Sequence, residues 1–455
     1  MTGEADAGRI EGVAPADGTF AARVPVYLDA LHLGDVQVAE DGALSFAYTP
    51  DWLATRGAFP LSLTIPLRPG QHARDVVEPW LANLLPEEQQ LVQVARSLGL
   101  DRSDALAILR EIGGDTAGAL SFGAPSDPAA GTYTPLTEFY GTPDEAAALE
   151  RHFDDLGRRP FLAGEDGVRQ SLAGGQRKSA LAVLDRDGRA VLRLPGDGDM
   201  LAIPRQGAPS TVIVKPDNPS LPGIVENEVY CLRLARAAGI EAVSVTALAA
   251  GRRQAICVLR YDRRIGRTGR IIRLHQEDFA QANALPPGLK YEVGTIPGLT
   301  LEALLKTGRA LPPADALALL DQVIFNILVA NADAHAKNYA LVLPVSGRPR
   351  LAPLYDVSSV LPWEQVNPFF AQKLAGRKRK PGDVAARHWD TISAAAGFRP
   401  ADVRARVAEL IDRIVANRVP VTRQVVALPG IVPGYVEQVA ALVEENVLRI
   451  GGRLR

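Results

Sequence analysis

The sequence predicts an α+β protein of two lobes, one β-rich and one mostly helical, with an extra α+β subdomain at the N-terminus. Three observations carry this. Strand-like runs occupy residues 24–48 and recur between residues 168 and 259, whereas from about Arg273 onward the apolar spacing is mostly helical. Strands do not alternate regularly with helices, which excludes a doubly wound parallel sheet. A chain of 455 residues is also too long for one ordinary core.

Residues 1–20 are acidic and rich in Gly and Ala, a composition that predicts disorder. They lack the basic and apolar regions of a signal peptide. Residues 21–125 form the N-terminal subdomain. It opens with strands whose turns are predicted at Leu33-Gly34 and Asp41-Gly42. A helical pattern follows through VVEPWLANLLPEEQQLVQVARSLGL, then a short helix, DALAILREIG, capped by Ser103 and stopped by Gly113-Gly114. Residues 126–160, rich in Pro, Gly, Asp and Glu, read as a connection with one short helix.

The β-rich lobe spans residues 161–268. It has a hairpin or meander over 168–194, a strand at TVIVKP, a helix at IVENEVYCLRLARAAG and two further strands. Residues 269–455 form the helical lobe, interrupted by a strand pair around YALVL and PRLAPLYD. Its most apolar stretch, residues 316–332, contains Asp321, Gln322, Asn326 and Asn331, so it reads as a buried helix and not a membrane span.

Composition narrows the function classes. The formal net charge of -2 gives no global nucleic-acid character, so such contact falls to local patches. The densest patch is KLAGRKRK, residues 373–380, which in isolation reads as a solvated loop. Two isolated cysteines, Cys231 and Cys257, make neither a disulfide framework nor a zinc site, which points to a reduced, cytoplasmic setting. Six scattered histidines form no metal-ligand cluster.

The main chemical motif is NADAHAKN, residues 331–338, directly after the apolar helix. Phosphoryl transfer needs a carboxylate to accept the substrate hydroxyl proton and oxygen ligands for Mg²⁺ beside the phosphates of ATP. Protein kinases space these as D-x-x-x-x-N. Asp333 and Asn338 have that spacing, and Lys337 between them is placed to neutralise phosphate charge. Asp356, eighteen positions beyond Asn338 and after the strand pair, fits the second Mg²⁺ ligand. Either Asp alone is as readily a helix cap; their order around a hairpin is what points to chemistry. His335 is read as supporting the loop by hydrogen bonding, since an Asp suits the base role.

The β-rich lobe supplies matching parts. SLAGGQ, starting at Ser171, lies between two strands, and its glycines permit either close phosphate approach or an ordinary hairpin turn. Lys215, in a strand followed by a helix bearing Glu226 and Glu228, matches the kinase lysine that holds the α- and β-phosphates. CVLRYDR, residues 257–263, falls where an interlobe hinge belongs, with Tyr261 against the adenine or in the core. His275 to Asp278 open the helical lobe, to align the catalytic loop or the nucleotide ribose, or equally to cap a helix. Together these give a bilobal protein-kinase layout.

Over nearly its whole length the chain resembles the HipA-type serine/threonine-protein kinase toxins of bacterial type II toxin–antitoxin systems. The resemblance is carried by GALSFAYTPDWLATRGAFPLSLTIPL, NLLPE and EIGGDTAGAL in the N-terminal subdomain. In the core it is carried by SLAGGQRKSAL, VIVKP, ENEVYCLRLA, RYDRR, LHQEDF, LKYE, NADAHAKNYAL and LYDVSS. It implies Asp333 as catalytic residue, Asn338 and Asp356 as Mg²⁺ ligands and Lys215 as the ATP-phosphate lysine. It also implies Ser171 as an autophosphorylation site next to a nucleotide loop of Ala173, Gly174, Gly175, Gln176 and Lys178. Glu228, Arg260, Tyr261, His335 and Lys337 complete the implied nucleotide site.

The same resemblance implies a helix-turn-helix (HipB-type) antitoxin, operator DNA bound through the antitoxin complex, and a translation component such as an aminoacyl-tRNA synthetase as substrate. Two departures are visible. Leu259 precedes Arg260-Tyr261 where the family often has Glu, and Arg177 stands where an acidic residue is common. The competing readings are a small-molecule phosphotransferase and a transcriptional corepressor that acts by binding alone.

Overall fold

The computed structural model describes residues 20–126, 131–292, 296–345 and 347–454. The stretch predicted to be disordered lies, up to residue 19, outside them.

The N-terminal subdomain is a five-stranded antiparallel sheet with helices packed on one face. In spatial order its strands are Gln71–His72, Leu44–Tyr48, Leu31–Val38, Ala22–Leu28 and Leu120–Phe122. The turn at Asp41-Gly42 forms as predicted, with Gly42 at φ +81°. Leu33-Gly34 is not a turn but the middle of a strand. Gly34 is there for close approach, because a Cβ would meet Ala47 O at 2.3 Å and the Phe46 ring at 2.4 Å.

The single helical pattern predicted after residue 74 is two helices, Arg74–Ala82 and Glu88–Leu98. Pro86 cannot donate to a continuing helix, and Glu88 has φ +51° at the restart. The cap of Ala105–Ile112 is Asp104, whose carboxylate accepts from Ala107 N at 2.9 Å, and not Ser103.

The β-rich lobe is one sheet in the order Val245–Ala250, Arg253–Leu259, Val212–Pro216, Ser179–Leu184, Met200–Arg205, Thr132–Pro135, with Ala190–Val191 beside Ser179–Leu184. Segment 126–160 is therefore more than a connection. It donates the edge strand Thr132–Pro135 and the helices Leu136–Phe139 and Glu145–Leu156, whose Leu149, Phe153 and Leu156 enter the lobe's core. The DRDG hairpin forms within 168–194. Strand Gln170–Ser171, however, pairs in parallel with Asp115–Thr116 of the N-terminal subdomain and not with its neighbour in sequence.

Helix Ile224–Ala237 is buried along most of its length. It shares one core with the helical lobe, including Pro400–Val426 and Pro433–Gly451, which fastens the two lobes together. The helical lobe starts with strand His275–Asp278, which pairs with Ala340–Leu343 and through it with Arg350–Leu351. No helix among the described residues is long and apolar enough to cross a membrane.

The N-terminal subdomain docks on both lobes. Asp115 accepts ion pairs from Arg263 at 2.8 Å and Arg273 at 2.9 Å, and its carboxyl is held well below the usual range because the three arginines 263, 273 and 260 outweigh its burial. Glu277, fully buried, accepts from Ser62 Oγ at 2.5 Å and Leu63 N at 2.9 Å. Burial pushes its pKa up to about 8. A carboxyl raised above its ordinary value of 4.5 contributes stability that is complete below that value and is lost as pH rises through about 8. Glu277→Gln should therefore gain stability relative to the parent as pH rises from about 6 to about 9. Paired thermal melts across that range check this, and parallel melting curves would refute it.

Candidate active site

The catalytic-loop geometry begins where helix Pro313–Leu328 ends. Ala330 takes φ +59° and turns the chain back. Asn331 then organises the loop: its Nδ2 donates to Asn326 Oδ1 at 2.9 Å, and its Oδ1 accepts from Asp333 N at 3.2 Å. Asn338 Nδ2 donates to Asp333 O at 2.8 Å, closing the D-x-x-x-x-N segment on itself. The Asp333 carboxylate is left exposed, and the Tyr291 hydroxyl donates to it.

Asp356 sits beyond the Ala340–Leu343 and Arg350–Leu351 pair with φ +56°, a strained conformation for a residue with a side chain. Its carbonyl accepts from Asn331 Nδ2 at 3.5 Å, so Asn331 touches both loops. Its carboxylate lies 2.6 Å from Lys215 Nζ, which also lies 2.7 Å from Glu228. The strand, the helix and the Asp356 loop thus converge on one ammonium. Burial alone would favour neutral Lys215, but Asp356 and Glu228 hold it charged with a raised pKa. Asp356 is in turn held well below the usual carboxylate range, Lys215 and Lys178 outweighing its burial.

Lys178 is buried and donates to Ala173 O at 2.7 Å. Burial and then the nearby Lys215 lower its pKa to about 8. Gly174 has φ +105°, and a Cβ there would stand 2.6 Å from Lys178 Nζ, so only glycine lets this loop curl over the lysine. Gly175 is exposed and Gln176 half-buried at the tip.

The donor set suits Mg²⁺. With its Nδ2 tied to Asp333 O, Asn338 keeps its amide oxygen without a partner among the described residues. Asp356 adds a partly exposed carboxylate. Mg²⁺ characteristically takes one or two protein oxygens and completes its shell with phosphate and water. No group of three or more His, Cys, Asp or Glu positioned for a metal exists among the described residues, so a wholly protein-built cage is not on offer.

Several predicted site residues turn elsewhere. The Arg260 guanidinium is buried against Asp262, Ser210 and Thr116 O, and its backbone N–H donates to Thr211 O at 3.0 Å, so only its carbonyl remains for a hinge contact. Lys337 does not project toward a transferring phosphate. Its Nζ lies 2.8 Å from Glu87 and donates to Asn83 O at 3.3 Å.

His335 does not support the loop through ring hydrogen bonds. The ring packs edge-on against Tyr291 with centroids 5.0 Å apart, and its buried Nδ1 has no partner. Burial lowers its pKa, so the ring is neutral. Tyr261 stacks on Tyr355 at 5.8 Å, and its hydroxyl donates to Gln276. His275 to Asp278 form a strand, though Asp278 does accept from Gln281 N as a cap at 2.9 Å. Ser171 is fully buried and donates to Leu84 O at 2.7 Å.

Glu87, Gln90, Lys290, Tyr291 and Tyr355 surround this site without having been assigned from sequence. Tyr355 donates to Lys337 O at 2.7 Å. Glu87 pairs with Lys290 at 2.5 Å as well as with Lys337. The motifs NLLPE and LKYE were the available signal, but no local spacing joins segments some two hundred positions apart.

Two family models cover most of the chain: "HipA N-terminal domain" over residues 24–123 and "HipA-like C-terminal domain" over residues 170–418. The chain is 36% identical over 390 residues to Y4mE of Sinorhizobium fredii, covering 85% of this chain and 89% of that one. It is 33% identical over 363 residues to the serine/threonine-protein kinase toxin HipA of Shewanella oneidensis, covering 76% and 77%. Among solved structures, HipA from the Shewanella oneidensis HipA, HipB and operator DNA complex superposes with a TM-score of 0.78 at 26% identity, over 95% of this chain and 98% of that one.

Proposed function

The chain belongs to the HipA family of serine/threonine-protein kinase toxins, and on that premise we propose that it transfers the γ-phosphate of ATP to a cytoplasmic protein and so arrests growth. The observation that carries the reading is Lys215 held between Glu228 and Asp356, with Asn331 tying Asp356 to the Asp333 loop. Lys215 is the cation for the α- and β-phosphates, and Asp333, aimed by Tyr291, accepts the hydroxyl proton. Asn338 and Asp356 hold Mg²⁺, which when bound neutralises charge on the phosphate oxygens.

Ser171 is the self-modification site in this reading. Its hydroxyl is buried, so phosphorylation requires the 171–178 segment to leave its seat, and a dianion cannot return to a site built for ATP phosphates. The substrate is a translation component such as an aminoacyl-tRNA synthetase. The partner is a HipB-type antitoxin on operator DNA. The exposed turn bearing Arg377 and Lys378, with Ala375 at φ +51° and Gly376 at φ +71°, is the surface offered to that complex.

The test is incubation of the purified chain with Mg²⁺, γ-labelled ATP and bacterial lysate. Ser171 and a cell protein should be labelled by the parent and by neither Asp333→Asn nor Ser171→Asp. Labelling of small metabolites alone would favour a small-molecule phosphotransferase, and absence of any transfer would remove the kinase reading.

A further inference from the structure

We propose that the N-terminal subdomain takes part in phosphoryl transfer as a clamp, with Gln90 and Glu87 as positioning residues for the phosphate loop and the catalytic loop respectively. The proposal rests on the kinase reading above. Its basis is the break between helices Arg74–Ala82 and Glu88–Leu98, which delivers one short segment to both loops.

On the nucleotide side, Pro86 bridges to Gly174 in parallel register, and Glu87 N donates to Gly174 O at 3.3 Å. The buried Gln90 amide donates to Gly174 O at 3.3 Å and Gly175 O at 2.7 Å. Carbonyls occupied on this side leave the loop's N–H groups for phosphate oxygens. On the catalytic side, the buried Glu87 carboxylate lies between Lys290 and Lys337. Lys337 is the residue before Asn338. Lys290 precedes Tyr291, which orients Asp333, and Lys290 O accepts from Ala336 N at 3.1 Å. One carboxylate therefore fixes both chain segments that aim the base. Although burial pushes the Glu87 carboxyl up, Lys337 and Lys290 hold its pKa down at about 2, so the bridge is ionic at neutral pH. The strained φ of Glu88 marks a backbone bent to make these contacts.

The two halves of the clamp predict opposite kinetic signatures. Gln90→Leu keeps the bulk and removes both bonds to the loop, so the KM for ATP should rise about tenfold with kcat within about twofold of the parent. Glu87→Gln unties the base-bearing segments, so kcat should fall about tenfold or more. The Glu87 bond to the phosphate loop comes from its backbone N–H, which the variant keeps, so the KM for ATP should not rise. Glu87→Gln combined with Lys290→Gln replaces the ion pair by a neutral hydrogen-bonded pair and should recover kcat several-fold over Glu87→Gln alone.

The experiment is transfer of label from γ-labelled ATP to the lysate protein that the parent labels, by the full-length chain across ATP concentrations, with melting temperatures measured alongside. Opposite signatures with recovery in the double variant support the clamp. Unchanged kinetics, a parallel loss in KM and kcat, or no recovery would overturn it and leave a scaffold contact. A parent chain that neither binds ATP nor labels itself would instead fail the kinase reading on which the clamp rests.

Discussion

Asp333→Asn should lower phosphoryl transfer by about 10²–10⁴-fold while leaving ATP affinity and melting temperature near those of the parent. The asparagine keeps the shape of the side chain and an oxygen for the Tyr291 hydroxyl, but it cannot take the substrate proton. What remains is the positioning and charge stabilisation supplied by Lys215, Asn338 and Asp356. Stability should hold because the side chain is exposed and makes no buried ion pair, and exposed substitutions usually change stability by less than about 0.5 kcal/mol. The loop's own bonds come from backbone groups of Asp333, which accept from Asn338 and donate to Asn331. Single-turnover transfer at saturating ATP, with ATP binding by calorimetry, reads both halves. Retention of more than about a tenth of the parent rate would remove Asp333 from the base role.

Local pattern made the centre legible. The D-x-x-x-x-N spacing, the following strand pair and the strand-borne Lys215 are each sequence-adjacent features, and the structure brings them together. Misplaced directions belong to side chains whose partners are distant. Lys337 sits within the D-x-x-x-x-N pattern and so reads as a phosphate contact, but Glu87, 250 positions earlier, holds it. Arg260 lies where a hinge belongs in sequence, but Asp115 and Thr116 of the N-terminal subdomain enclose it.

The same physics governs the fold. Gly34 resembles a turn residue until Phe46 and Ala47 are seen to crowd it from the next strand. Segment 126–160 resembles a linker until its few apolar residues find a core made by the sheet that follows. Ser171 lies on an apparent hairpin whose true partner strand is Asp115–Thr116. In each case the local composition suggests one element, while long-range packing decides what forms there and what it pairs with.

Lys215→Met should destabilise the chain by about 3–5 kcal/mol and, on the proposed kinase function, also abolish ATP binding, because that function gives one ammonium to both the core and the nucleotide. Glu228 is 3% exposed at its side chain and has Lys215 as its cation 2.7 Å away, so the variant leaves a buried carboxyl without compensation. Burial already raises the Glu228 pKa, and loss of Lys215 raises it further. A raised carboxyl contributes stability below its ordinary pKa of 4.5 that is lost as pH rises, so the deficit against the parent should grow from about pH 5 to about pH 8. Urea unfolding at both pH values measures it.

The nucleotide role separates by repair of the core. Lys215→Met with Glu228→Leu removes the stranded carboxyl and should regain most of the lost stability, since an apolar pair of similar volume is commonly as stable as a buried ion pair. It should not regain ATP binding, because the remaining cation, Lys178, is tied to Ala173 O with a lowered pKa and does not replace Lys215. At an ATP concentration about a hundredfold above its dissociation constant the parent gains about 2.7 kcal/mol, whereas both variants should gain none. A double variant that recovers stability and ATP stabilisation together would show that Lys215 matters only for folding, and the phosphate site would have to be placed elsewhere.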